Sequence, residues 1–88
     1  MPIEYRVEIR PSARRELESI PFDVRQRLLS AIGNLGANPR PRGCRKLVSS
    51  PSDFRLRVGD YRVLYEVLER EGVVLVYRVR HRSKAYRL

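Results

Sequence analysis

Residues 3–9 alternate, with Ile3, Tyr5, Val7 and Ile9 apolar and Glu4, Arg6 and Glu8 charged. This period of two predicts a strand buried on one face. Arg10-Pro11-Ser12 then predicts a helix start, because proline in a first turn sacrifices no helical hydrogen bond. Ala13, Leu17 and Ile20 form the apolar stripe of this short helix, and Pro21 stops it. A second helix is predicted from Phe22-Asp23, where a carboxylate complements the positive helix end. Val24, Leu28, Ala31, Ile32 and Leu35 recur at i, i+4, i+7, i+8 and i+11, a helical stripe. Gly36 reads as its C-cap, and Asn38-Pro39 prevents continuation. The two helices predict an antiparallel hairpin covering one face of a sheet.

Residues 40–52 read as a loop punctuated by Pro41, Gly43 and Pro51, whose basic middle, Arg45-Lys46-Leu47, is able to begin a strand. Residues 54–58 alternate again, Phe54, Leu56 and Val58 facing in and Arg55 and Arg57 facing out. Gly59-Asp60 fits a two-residue hairpin turn with glycine first. Residues 61–68 are apolar on both faces apart from Arg62 and Glu66, which suits a central strand. Arg70-Glu71-Gly72 predicts the next turn and residues 73–79 the last strand, followed by a basic tail over residues 80–88. The fold class expected is α+β, in the order β-α-α-β-β-β: an antiparallel-rich four-stranded sheet with a helical hairpin on one face. With 88 residues, a single domain spanning 1–88 is expected, with a small core and a thin stability margin.

Charge adds what the hydrophobic pattern does not contain. Nineteen Lys and Arg stand against ten Asp and Glu, a net +9. Up to Pro39 six basic residues face five acidic ones; from Arg40 onward thirteen face five. A basic excess concentrated in one half is the electrostatic footprint of a polyanion binder. Seventeen of the nineteen cations are arginine, which grips phosphate with two donors and stacks on bases. Cys44 stands alone, so no internal disulfide is possible, and with one histidine there is no conventional zinc site. No metal and no cofactor is expected. The sequence begins without the apolar run of a signal peptide and contains no stretch near the ~18 apolar residues of a membrane span, which points to a cytoplasmic protein with no membrane partner.

The uncovered sheet face is where the cations must go. Arg55 and Arg57 share one side of their strand. If the Gly59-Asp60 turn sets the register, Arg57 lies opposite Arg62, an arrangement of like charges that destabilises a sheet and that a bound phosphate would relieve. Arg78 and Arg80 share one parity on the last strand, so Arg55, Arg57, Arg62, Arg78 and Arg80 are expected to line one basic surface. Arg45, Lys46 and Lys84 are further candidate RNA contacts. Tyr61, Tyr65 and Tyr77 read as core residues rather than a stacking platform, Asp60 as a turn residue, and Glu66 as an ion-pair partner among the arginines.

The run from Phe54 to Val67, with Gly59-Asp60-Tyr61-Arg62-Val63-Leu64-Tyr65 at its centre, resembles the signature of the RelE/ParE toxin superfamily. The tail His81-Arg82-Ser83-Lys84-Ala85-Tyr86 resembles the closing segment of its RelE branch, a basic pair followed by a tyrosine. The resemblance implies the RelE-like microbial RNase fold and the toxin of a type II toxin–antitoxin system. Such a toxin enters the ribosomal A site and cuts mRNA there by attack of the RNA's own 2′-hydroxyl, without a metal. It implies that Arg62 holds the scissile phosphate, that Arg82 stabilises or protonates near the leaving oxygen, and that Tyr86 stacks on a base or moves a proton. Arg55 and Arg57 fall where RelE carries lysines, and arginine cannot serve as a base. His81, with an unperturbed pKa of ~6.5, or Tyr86 is then the expected base, although His81 also reads as a surface residue touching rRNA. The partners implied are the ribosome with its mRNA and rRNA, and a RelB-like antitoxin with an acidic or amphipathic helical segment. A ParE-like inhibitor of DNA gyrase and a catalytically inactive RNA- or ribosome-binding module are the competing readings.

Overall fold

The computed structural model describes residues 4–48 and 50–85. The elements run β1 (Arg6–Ile9), α1 (Pro11–Glu18), α2 (Phe22–Asn34), β2 (Cys44–Lys46), β3 (Asp53–Val58), β4 (Tyr61–Leu68), β5 (Val73–His81) and a short α3 (Arg82–Ala85). The five strands form one sheet in the order β1-β5-β4-β3-β2. No helix is long and apolar enough to cross a membrane among the described residues.

The expected four-stranded sheet is therefore corrected to a mixed sheet of five strands. The extra strand is β2, which opens at Cys44 in the loop rich in proline and glycine and pairs antiparallel with β3. The sequence left the direction of the first strand open: β1 pairs with β5 in parallel, Arg6 opposite Val73 through Ile9 opposite Val76, and the other three pairings are antiparallel. The helical hairpin lies between β1 and the meander and returns the chain to the far side of the sheet. β1 enters as an edge strand, and β4 occupies the middle, as its two-sided apolar pattern requires.

Both helices press their stripes onto one face. Ala13 and Leu17 of α1 with Ile20 just past its end, and Leu28 and Ile32 of α2 with Leu35 at its C-cap, meet Phe54, Leu56, Val63, Tyr65, Val67, Val74, Val76 and Val79. Burying each such aliphatic side chain contributes roughly 1.5–3 kcal/mol. Phe54 and Tyr65 are cross-strand partners whose rings stack with centroids 5.8 Å apart. The Tyr65 hydroxyl, fully buried, donates to the Pro39 carbonyl at 2.7 Å and so ties the post-helix segment to β4. Burial, and secondarily Cys44, pushes its pKa well above the ordinary phenol value.

Gly36 does not act as a left-handed C-cap. The second helix ends at Leu35 in right-handed geometry, and the amides of Leu35, Gly36 and Ala37 tighten onto carbonyls three residues back. What position 36 requires is closeness. Its carbonyl accepts from the Tyr5 amide at 2.7 Å, and a Cβ there would stand 2.9 Å from the Tyr5 carbonyl oxygen.

One irregularity decides which way the last strand points. Between Leu64 and Tyr65 the register with β5 jumps, so Leu64 faces Arg78 but Tyr65 faces Val76, leaving Tyr77 as an extra residue. Strict alternation from Val74 and Val76 would place Arg78 and Arg80 under the helices. The bulge turns Val79 inward instead and puts both arginines on the open face.

Candidate nucleic-acid interface

The face away from the helices carries ordered rows of side chains. Arg57, Arg62 and Arg80 stand directly opposite one another across β3, β4 and β5. About 7 Å along, two residues of strand rise, a second row runs Arg45, Arg55, Leu64 and Arg78. The next row, Asp53, Glu66 and Leu75, is acidic and apolar. The predicted opposition of Arg57 and Arg62 is present, and Arg45 and Arg55 repeat it on the neighbouring pair.

Arg62 is the centre of this arrangement. Only 6% of it is exposed, and it is the buried charged residue among those described. Its Nη1 donates to the carbonyls of Tyr61 at 3.1 Å and Gly59 at 3.4 Å. With Gly43, Arg45, Arg55 and Arg57 it lines a cavity of about 250 Å³ that has no carboxylate in its wall. Gly59 adopts a φ of 58°, a left-handed value that glycine tolerates, and its turn brings that carbonyl back toward the arginine. Four guanidinium groups around one small cavity repel one another in a partly desolvated setting, and an anion in that cavity removes the repulsion.

Arg78 and Arg80 share this face but are drawn to its margin by Glu16, which inspection of the sequence did not single out. β1 stops at Ile9, so the outer edge of β5 beyond Val76 has no strand partner. The first helix takes its place: the Ser12 hydroxyl donates to the Tyr77 carbonyl at 3.0 Å, and Glu16 Oε1 accepts from the Val79 amide at 2.8 Å. Glu16 Oε2 accepts from Arg78 Nη1 and Arg80 Nε, both at 3.2 Å. The i, i+4 spacing of Ser12 and Glu16 is the signal that could have found them. Neither Arg78 nor Arg80 lines the Arg62 cavity.

The tail residues divide. Arg82 is fixed on the same turn that Arg62 touches: its amide donates to the Asp60 carbonyl at 2.7 Å and its Nε stands 4.0 Å from Asp60 Oδ1. Asp60 thus serves both as a turn residue and as an anchor for the tail. His81 pairs with Tyr61, one position out of step with the Arg62–Arg80 pair, and so belongs to the opposite face. Its ring meets Tyr61 edge-on at 5.3 Å, and Nδ1 accepts from the Ser83 amide at 3.3 Å. His81 and Lys84 line a separate cavity of about 420 Å³ with Tyr61, Arg80 and Glu16. Lys46 pairs with Phe54, and alternation puts it on the helix side of β2, away from Arg45. Tyr86 lies outside the described residues.

A third cavity, about 450 Å³, opens at the acidic end of the face between Arg10, Asp53, Glu66, Tyr77 and Arg78. Burial, and then the charge of Asp53, pushes the Tyr77 hydroxyl up to about 12. Glu66 accepts from the Ser52 hydroxyl at 3.2 Å and pairs with no arginine among the described residues. Among the described residues no three His, Cys, Asp or Glu side chains gather where they could hold a metal ion.

Comparison with known proteins places the sequence and the fold. Residues 7–86 match the family described as ParE toxin of the type II toxin–antitoxin system parDE. The chain is 32% identical to toxin RelG of Mycobacterium tuberculosis over 84 residues, 94% of this chain and 97% of that protein. It superimposes on the RelE–RelB complex of Pyrococcus horikoshii with a TM-score of 0.82 and 30% identity, covering 92% of this chain and 98% of that one. The RelBE2 toxin–antitoxin complex of M. tuberculosis gives 0.78 and 29%, with 93% and 95% covered.

Proposed function

This chain belongs to the ParE toxin family of type II toxin–antitoxin systems and is a toxin of the RelE type, and we propose that it cuts mRNA in the ribosomal A site by attack of the RNA's own 2′-hydroxyl. The observation that carries the reading is the buried Arg62 in a cavity walled by Arg45, Arg55 and Arg57 with no acid among them. A protein has no folding reason to oppose arginines in two neighbouring rows, whereas a phosphodiester anion fits the place and the charge.

In the proposed reaction the 2′-oxygen bonds to the adjacent phosphorus, loses its proton to a base, and expels the 5′-oxygen, which takes up a proton. Arg62 holds a non-bridging oxygen of the scissile phosphate, and Arg45, Arg55 and Arg57 offset the negative charge that grows on the phosphorane. Arg82, tethered to the neighbouring turn, serves the leaving-oxygen side. Of the two candidate bases, His81 projects from the opposite face of β5 from Arg62. We therefore assign proton transfer to Tyr86, which the tail motif supplies.

The proposed partners are the ribosome and a RelB-type antitoxin. An acidic or amphipathic helical segment of such an antitoxin would meet the arginine face of a chain with net charge +9. The test is to induce the wild-type chain and an Arg62→Ala/Arg82→Ala variant in cells and map mRNA 5′ ends on translating ribosomes. New ends in the A-site codon with wild type, reduced about 100-fold or more in the variant, are expected. Growth arrest with DNA damage and no new ends would replace this reading with gyrase inhibition, and no arrest at all with an inactive binding module.

A further inference from the structure

Resting on the RNA reading above, we infer that Glu16 withholds Arg78 and Arg80 from the RNA and so sets where the cationic track ends. The register places these two arginines in the same rows as Arg55, Arg57 and Arg62, so by position alone the track would run uninterrupted from β2 to β5. Glu16 interrupts it. Its carboxylate is held by a backbone donor, the Val79 amide at 2.8 Å, before it engages either arginine. It then takes one donor from each guanidinium at 3.2 Å.

The geometry is selective. The Glu16 side chain is 24% exposed, against 25% for Arg80 and 36% for Arg78, so the trio lies at the margin of the sheet rather than in free solvent. Arg80 contributes to the cavity on the His81 side and Arg78 to the cavity at the acidic end, while the Arg62 cavity is lined by neither. A phosphate moving past Arg62 toward β5 meets a carboxylate already bonded to both cations. RNA is thereby confined to the β2–β3–β4 part of the face, over Arg45, Arg55, Arg57 and Arg62. Glu16 is a positioning residue in this account: it touches no RNA and acts through the arginines it occupies.

Salt dependence reads this directly, because each phosphate neutralised on a single strand contributes about −0.7 to the slope of log K against log [salt]. The experiment measures that slope for a single-stranded RNA oligonucleotide with wild type, Glu16→Gln, Arg78→Gln/Arg80→Gln, and the triple variant. The side-chain amide introduced by Glu16→Gln keeps an acceptor for the Val79 N–H, so the edge of β5 stays capped. Glu16→Gln is expected to steepen the slope by about 1.4, two added phosphate contacts. Arg78→Gln/Arg80→Gln is expected to leave the wild-type slope unchanged and to abolish the gain in the triple variant. A wild-type slope that falls in Arg78→Gln/Arg80→Gln overturns the inference, even if Glu16→Gln proves unfolded by circular dichroism. A folded Glu16→Gln with the wild-type slope overturns it as well. If wild type itself binds with no salt dependence, the RNA reading fails first and the inference with it.

Discussion

Arg57 and Arg62 stand directly opposite each other on adjacent antiparallel strands, next to the two-residue turn that joins them. Like charges at opposed positions cost a sheet about 0.2–1 kcal/mol relative to a neutral pair. Arg57→Ala is therefore expected to raise the urea midpoint slightly while weakening RNA binding and flattening its salt slope by about 0.7. Opposite signs for stability and binding are the outcome to look for. A variant that loses both would mean that Arg57 supports the fold.

Tyr65 carries the opposite kind of constraint. Its hydroxyl is buried and bonded to the Pro39 carbonyl. Tyr65→Phe keeps the ring stack with Phe54 but leaves that carbonyl without its donor, which costs about 1–3 kcal/mol. Chemical denaturation should show this loss with an unchanged m-value, and RNA binding should be retained, because the ring lies on the helix side of the sheet.

Gly36 offers a steric test. A Cβ at this position would approach the Tyr5 carbonyl to 2.9 Å. Because a backbone atom cannot rotate away, Gly36→Ala is expected to push the helix end off the start of β1 and to destabilise by about 1–3 kcal/mol, despite alanine's better helix propensity. An alanine variant as stable as wild type would show that the two segments separate freely.

Glu69 predicts an acid-sensitive contact. It accepts from the Tyr5 hydroxyl at 2.6 Å and pairs with Arg40, and these two partners, the tyrosine first, hold its pKa below the ordinary carboxylate value. A lowered folded-state pKa means that the stabilisation is complete above the unfolded value of ~4.3 and is lost as pH falls through the folded value. The melting temperature of Glu69→Gln should accordingly lie below that of wild type at neutral pH, and the gap should close in acid. Because the contact is exposed, the gap should also shrink in high salt.

The legible parts of this chain are those with period and punctuation. The helix stripes, the alternation around Arg55 and Arg57, and the Gly59-Asp60 turn were readable because local chemistry dictates them. β2 was read only as a place where a strand is able to begin, at Arg45-Lys46-Leu47, since three residues from Cys44 to Lys46 give no alternation to count. The direction of β1 was not legible, since its own residues are the same whether it pairs in parallel or not. The site was readable as a set of cations and less so as a geometry. Register predicted the meeting of Arg57 with Arg62, but the burial of Arg62 depends on the neighbouring strands and on a turn carbonyl. Glu16 was missed because its role is to cap a strand more than sixty residues away, which no local pattern announces.

The extra residue at Tyr77 makes β5 a strand with a phase slip. Up to Val76 its even-numbered side chains serve the core; from Arg78 they serve the solvent side. A single polypeptide segment is thus shared between two tasks that impose different demands, tight apolar packing at one end and cationic chemistry at the other. Each end is free to change composition without putting the other out of step, as long as the slip is kept. Were Tyr77 drawn into the ladder opposite Leu64, every later side chain would change face, with Arg78 and Arg80 driven toward the core and Val79 out of it. The coexistence of a foldable core and a charged face in so short a chain therefore hangs on one residue standing outside the pairing, more than on the identity of any residue within it.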